Sequence, residues 1–566
     1  MSSPIVILNK FISNILNKKQ KNDLEKLEFD ITKEIIKKIC PDIPSIAELS
    51  KILSRDINDL PQSNIKQFNI KQILNAISTT NQILYGTLIC SSMIEIKLQG
   101  VNTKILLQLA EKYKIIWPWS LQYDSMRLGN NRRLNRFPLM IIFPKKPQDI
   151  IYWIQFVRKY EFTISIRSGG HNYEYFSGQN QVILDLSDLQ LDKSNGQIQI
   201  DANKKKVIVA PGIRLGILYN ELSKHKSIIA GGICPSVCIG GLVAGGGIGY
   251  TIRRYGFACD NLLEADVVLA NGNLITVNNI QHNDLFRSIK GAGQNFGVIV
   301  KYTLKTHPII NVVYFQYSFD IINFSQVMIV WQQLAQNAPD NLSGLVSNTL
   351  AGLPIFIING MFISQRSQDL LKDFNNLIFP MFFNPLKIAN IKPNLENATV
   401  MTFLEAESLL ALEVPMLPFY KIKNNYFFDP LTIDDFNKIS NFIQKSPFNT
   451  LSKSFFAIQF VSYGGAVKKI PASNSILTGR NSIGWIQLAI YYDNQDETEK
   501  AMNYINNAYN IVSVITSKFA DPNAPDLSLD NYLVSYYGNN VPFLKFVKNK
   551  YDPTNLFNFA QSIPLK

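Results

Sequence analysis

One histidine and one cysteine lie in backbone of a kind that can approach a ligand closely. His171 closes Arg167-Ser168-Gly169-Gly170-His171 and is followed by Asn172. Cys234 lies in Gly231-Gly232-Ile233-Cys234-Pro235-Ser236-Val237-Cys238, which continues through Gly240-Gly241 to Gly245-Gly246-Gly247-Ile248-Gly249. Both side chains are nucleophiles. Glycine removes the Cβ that would hold chain and ligand apart, and successive free N–H groups in such a loop form a concave site for a diphosphate. The pattern is not the dinucleotide fingerprint Gly-x-Gly-x-x-Gly. Gly245 and Gly247 would need a third glycine where Tyr250 stands, and the run from Gly291 to Gly297 is one residue too long. No Gly-Lys-Ser or Gly-Lys-Thr is present. Taken singly, each cluster is equally compatible with tight turns in a large α/β protein.

Regular elements must deliver these loops. Phe137 to Pro144 reads as a short apolar strand between prolines, and Pro147 to Tyr160 as a helix. Phe162, Ile164 and Ile166 alternate as a strand that feeds the chain into Arg167. Lys206 to Ala210 is a further strand and Arg214 to Lys226 a helix. Val267–Ala270 and Leu274–Val277 flank Asn271-Gly272, a strong hairpin signal. A short helix over Asn283–Ile289 and a strand over Gly297–Leu304 follow. Beyond them, strands are expected at Tyr314–Phe319, Ile355–Ile363 and Phe455–Val461, and helices at Gln365–Leu377 and Ile433–Lys445. Residues 1–120 have a different texture. Leu24–Ile39 and Asn102–Ile116 have helical spacing, and Ser45 with Glu48 has the form of a capping box. No chemical motif lies there, so a packing or interaction role is expected.

The 566 residues, 46% hydrophobic and 17% charged, describe an ordinary globular chain of two or more domains. The net charge of +13 is spread over scattered lysines with no nucleic-acid motif, so no nucleic-acid partner is expected. The five cysteines, Cys40, Cys90, Cys234, Cys238 and Cys259, suit neither a disulfide framework nor a zinc site. With only four histidines, no metal centre is expected. No apolar run reaches the length of a membrane span and no secretory signal is visible, so the compartment is left open, cytoplasm or a packaged particle included.

In combination and in order, these segments resemble the berberine-bridge-enzyme-like branch of the flavin oxidoreductases with the vanillyl-alcohol-oxidase fold. The resemblance rests on Arg-Ser-Gly-Gly-His, Gly-x-Cys-Pro-x-Val, the long glycine run, Arg254 to Asn261, Asp284 to Phe286, and the terminal Tyr536-Tyr537-Gly538 with Asp552-Pro553 and Gln561 to Pro564. It implies an α+β fold. A PCMH-type FAD-binding domain would span residues 133–308 and a substrate domain with an antiparallel sheet residues 309–520. Residues 521–566 would return to the FAD domain, and residues 1–120 would be a helical extension free to make protein contacts. The resemblance also implies FAD attached twice, through His171 and Cys234. The backbone from Arg167 through Ser168, Gly169 and Gly170 to Asn172, with Gly240, Gly241, Gly245, Gly246, Gly247 and Gly249, would hold the diphosphate. Asn540 and Gln561 are expected near the flavin or its ribityl chain. Val237 in this family goes with access of O2, and so with an oxidase. Cys238 stands where the family usually has glycine, and is either a competing or an inert thiol.

Oxidising an alcohol needs a base for the hydroxyl proton while the carbinol hydride leaves. The strand before Tyr463-Gly464-Gly465 offers Gln459 and Tyr463. Where the family pattern has a tyrosine, this chain has Phe519-Ala520-Asp521, so either Asp521 or Tyr463 would serve. The expected function is oxidation of a hydroxyl-bearing sugar or alcohol by an FAD-linked enzyme, with O2 as acceptor. The alternatives are a flavin protein whose catalysis has decayed, or a basic interaction protein acting through residues 1–120.

Overall fold

A computed structural model describes residues 99–566 apart from 119, 121, 192–195, 310, 365–368, 412–416 and 451–452, together with residues 92, 95 and 96. The helices expected at Leu24–Ile39 and from Ser45 lie outside the described residues. The chain divides into two compact units. One holds the described residues up to Gly129 with Asn135–Arg167 and Ser177–Asp188; the other holds the described residues of Asn130–Leu134, Ser168–Phe176 and Leu189–Lys566.

In the first unit, helix α1 (Thr103–Lys112) starts where the Asn102 side chain accepts the N–H of Ile105. It stops four residues short of the expected Ile116, because Tyr113 turns extended and Ile115–Ile116 pairs as strand β1. Strands β2 (Met140–Ile142), β3 (Ile164–Arg167) and β4 (Val182–Asp185) complete a small sheet in the order β1-β2-β4-β3. Helix α2 (Pro147–Lys159) precedes β3 and buries Ile150, Trp153, Ile154 and Val157. At the end of β3, Arg167 pairs with Asp185 at 2.5 Å, both buried.

The second unit carries a five-stranded sheet ordered β5-β6-β10-β8-β9. Its strands are Ile198–Asp201, Lys206–Val209, Gly297–Lys305, Leu262–Leu269 and Leu274–Asn278. The Asn271-Gly272 turn joins β8 to β9 as an antiparallel hairpin, with Gly272 at φ +87. Helices α3 (Leu215–Ser223), α4 (Ile239–Ala244), α5 (Ile252–Tyr255) and α6 (Asn283–Ala292) accompany it. A two-stranded ribbon pairs β7 (Ser227–Ile228) with β11 (His307–Pro308).

The same unit holds an eight-stranded antiparallel sheet. Its path is β15 (Leu395–Thr402), β12 (Asn311–Asp320), β14 (Ile355–Phe362), β13 (Leu342–Leu350), β18 (Ser454–Ser462), β19 (Gly484–Tyr492) and β16 (Phe419–Phe427), with β17 (Asn449–Thr450) beside β18. Alternation sets its two faces, because successive strand side chains point to opposite sides. On β18, Phe456, Ile458 and Phe460 enter a core with Phe324, Trp331, Ile439 and Ile505. Those partners come from helices α7 (Phe324–Asn337), α10 (Ile433–Gln444) and α11 (Thr498–Ser513). Ala457, Gln459, Val461 and Tyr463 take the other face. Helix α8 (Leu370–Ile378) is capped by Asp369, which accepts the N–H of Lys372; the expected start at Gln365 lies outside the described residues. Among the described residues no helix is long and apolar enough to cross a membrane.

Candidate active site

The loop that carries Cys234 is built into the start of α3. The N–H groups of Leu215 and Gly216, which an α-helix leaves without internal partners, donate to Val237 O at 2.9 Å and Pro235 O at 3.0 Å. The turn closes on itself through Val237 N to Cys234 O at 3.2 Å. Tyr219, one turn into α3, donates its hydroxyl to Gly232 O at 2.7 Å and packs where a Gly231 side chain would be. Cys234 and Val237 are left partly exposed. Cys238 has the opposite fate. It is buried, its Sγ donates to Gly212 O at 3.1 Å, and it lies against Gly169. Its thiol is thus enclosed by main chain, whereas that of Cys234 is partly exposed.

His171 faces this loop. Its ring hydrogen-bonds the main chain of Ser236, and Asn130 Nδ2 stands 2.7 Å from Nδ1. Burial, with Arg214 nearby, pushes the imidazole down to about 4. The ring is therefore neutral at ordinary pH, the form in which a nitrogen lone pair is free. The neighbouring loop is tied down around it. Asn172 Oδ1 accepts the N–H groups of Glu174 at 3.2 Å and Phe176 at 3.1 Å. Glu174 is held by Arg133 at 2.7 Å and by Lys421. Lys421 and Lys423 both reach Asp526, at 2.5 and 2.8 Å. Against the cost of burial, these two lysines hold the Asp526 carboxyl down to about 2.

The glycines bring chain against chain. A Cβ on Gly249 would overlap Gly231 O, and one on Gly245 would overlap the Asn523 side chain. Gly240 is closed in by Pro211 and Ser168 at 2.7 Å each, while Gly246 and Gly247 need φ of +116 and +84. Gly241 faces open space, with nothing within 4 Å of a Cβ. Asn540 and Gln561 are occupied by protein partners. Asn540 accepts from Arg287 at 2.7 Å, and Gln561 bonds Asp526 O at 2.8 Å and the Tyr536 hydroxyl at 3.0 Å.

The opposite face of the large sheet, which also buries Val346, Val461 and Trp485, carries a row of carboxamides that single strands do not reveal. Asn348, Gln459, Gln487 and Asn424 stand directly opposite one another across β13, β18, β19 and β16. Gln316 and Asn359 continue the row on β12 and β14. Gln459 donates to Asn348 Oδ1 at 2.7 Å, and the Tyr314 hydroxyl donates to Gln316 at 2.7 Å. The buried Oε1 of Gln487 has no hydrogen-bond partner among the described residues.

Asp521 and Tyr463 come together at the Asn424 end of the row. Asp521 is 5% exposed, and burial pushes its carboxyl up to about 7 although Asn523 N donates to it at 2.9 Å. Burial and the Asp521 charge hold the Tyr463 phenol well above its ordinary value, so it stays protonated. Tyr426, not anticipated from sequence, faces Tyr463 with ring centroids 5.8 Å apart and feels Asp521 as well. Glu407 is a second unanticipated acid. It lies on the buried stripe of α9 (Phe403–Leu410), 4% exposed, with an unpartnered Oε1, and burial pushes it up to about 8. Its only sequence signal is a carboxyl in register with Phe403 and Leu410.

The chemistry of these groups fits a flavin. A neutral imidazole and an accessible thiol share one loop contact, and open space lies at Gly241. The comparisons agree. A family described as FAD binding domain matches residues 138–278, and one described as berberine and berberine like matches residues 522–564. An uncharacterized FAD-linked oxidoreductase, YgaK of Bacillus subtilis, is 27% identical over 450 residues, 78% of this chain and 94% of that protein. Berberine bridge enzyme-like 18 of Arabidopsis thaliana is 27% identical over 473 residues, 75% of this chain and 83% of its own. The solved structure of Physcomitrella patens BBE-like 1 matches with a TM-score of 0.72 and 25% identity, covering 81% of this chain and 98% of that one. With the loop motifs and both family matches in one chain, the protein is an FAD-linked oxidoreductase similar over most of its length to berberine-bridge-enzyme-like proteins.

Proposed function

We propose that this enzyme oxidises a hydroxyl-bearing carbon of a small polyhydroxylated substrate, a sugar or an alcohol. The carboxamide row carries this reading. Each carboxamide both donates and accepts hydrogen bonds, as hydroxyl groups do, and the unpartnered Gln487 Oε1 is an acceptor waiting for a donor. Gln459 and Gln487 orient the substrate. Asp521 takes the hydroxyl proton, since a base near the working pH is the effective one and its carboxyl stands near 7. Tyr463, protonated, donates a hydrogen bond to the same oxygen. FAD, when bound, supplies the hydride acceptor.

His171 and Cys234 are the attachment residues in this reading, and the backbone from Ser168 to Asn172 and the glycine run hold the diphosphate. Val237, partly exposed beside Cys234, supports O2 as the final acceptor and hydrogen peroxide as product. The test starts with acid-denatured protein. A yellow polypeptide heavier by one FAD, and peroxide formed with members of a sugar and alcohol panel, are the expected results. Colourless protein of unmodified mass would remove the covalent attachment, and no turnover across the panel would favour the decayed flavin protein.

A further inference from the structure

We propose that Arg253 is a positioning residue for Tyr463, an inference that rests on the role given to Tyr463 above. Arg253 lies in α5, which follows the glycine run, and is 1% exposed. Burial pulls its guanidinium down to about 10, so it stays positive at neutral pH. Its hydrogen bonds go to main-chain carbonyls. Nε donates to Leu342 O at 2.9 Å, Nη2 to Ala338 O at 2.7 Å, and Nη1 to Ala335 O at 2.6 Å and to Tyr463 O.

These carbonyls belong to separate pieces of the substrate sheet and its cover. Ala335 and Ala338 lie at the C-terminal end of α7, where carbonyls lack helical partners and a cation is favoured. Leu342 opens β13, and Tyr463 follows β18. One cation thus fixes the carbonyl of Tyr463 to a helix end and a strand start. The glycines after Tyr463 are shaped to it. Gly464, at φ +116, would bring a Cβ to 2.8 Å from Arg253 Nη1. Gly465, at φ +52, would bring one into Arg253 O. The ring is gripped by the same segment, because Phe257 meets Tyr463 edge-on at 5.5 Å. The Arg-Arg-Tyr-Gly and Tyr-Gly-Gly motifs are therefore two halves of one mount. A lysine keeps the charge but lacks the planar fork that serves several carbonyls at once.

The test is a cycle on turnover in the flavin-loaded enzyme. Arg253→Lys is expected to lower kcat at least tenfold with KM within twofold. Tyr463→Phe lowers kcat alone, and the double variant is expected to be no slower than Tyr463→Phe, because both changes remove one function. Gly465→Ala pushes the same turn from the other side, and should reproduce the kcat loss at unchanged KM even if Arg253→Lys folds poorly. The proposal is overturned if Arg253→Lys lowers only the melting temperature. It is equally overturned if the Arg253→Lys and Tyr463→Phe losses multiply, or if Gly465→Ala turns over normally. Full turnover by Tyr463→Phe removes the role of Tyr463 itself, and this proposal with it, while leaving the flavin attachment and the peroxide assay standing.

Discussion

The side-chain oxygen of Asn424 accepts the main-chain N–H of Asp521 at 2.7 Å. The same oxygen takes the indole N–H of Trp485 at 2.9 Å, and the Asn424 amide donates to Ala524 O at 2.7 Å. One carboxamide therefore ends the row on the sheet and fastens the segment that carries the candidate base. In the proposed function, substrate orientation and proton removal would meet at that residue.

Asp521 as base makes a statement about pH. Its carboxyl stands near 7, so turnover is expected to rise as pH increases through about 7 and deprotonates it. Asp521→Asn should remove that limb and lower kcat by about 10²–10⁴-fold, the usual worth of a general base. A pH profile of kcat for parent and variant checks it, and an unchanged limb would move the base elsewhere.

Gln487 offers an unsatisfied acceptor where a hydroxyl is expected. Gln487→Leu should raise KM for a turned-over sugar by about 3–10-fold, the value of one neutral hydrogen bond. kcat should stay within about twofold, because the bond is made equally in the bound and reacting states. Steady-state kinetics on one substrate separates the two.

The two thiols near the loop should behave differently. Cys238 is buried and bonded to Gly212 O, while Cys234 is partly exposed. Cys238→Ala is expected to leave both flavin links in place. Cys234→Ala should leave a single link at His171. Peptide mapping of the flavin-bearing fragments tests both, and a link at Cys238 in the parent protein would reverse the assignment.

Glu407 should cost stability as pH rises. Its folded-state value of about 8 lies above that of an unfolded glutamate, so the native state holds a proton that the unfolded chain has released. Stability from this group is complete below about pH 4.5 and is lost up to about pH 8. Glu407→Gln should match the parent near pH 4.5 and exceed it by a few kcal/mol (order of magnitude) at pH 8. Denaturant unfolding at the two pH values measures the difference, and a constant offset would contradict it.

Local signals carried far into the fold. The Asn271-Gly272 hairpin and the helix from Ile433 follow from turn chemistry and spacing that act within a few residues. Gln459 and Tyr463 share a face because alternation on β18 requires it. The amide row was not readable, because register across β13, β18, β19 and β16 is a tertiary property and brings Asn348 beside residues more than 100 positions away. The contacts of Asn540 and Gln561 were hidden for the same reason: an amide beside a family motif serves a ligand or a neighbour with equal ease. Phe519 in place of tyrosine left Asp521 and Tyr463 as alternative bases, and both are buried, Tyr463 at 1% and Asp521 at 5% exposed.

Gly245 pressed against Asn523 has a consequence for the order of events during synthesis. At about 5–20 residues per second, the stretch between them takes tens of seconds to emerge. Through that interval the nucleophilic loops exist without the wall that carries Asp521. The core beneath the glycine run is therefore complete only when the end of the chain arrives, because Leu242 and Val243 share it with Ala520, Ala524 and Ile563.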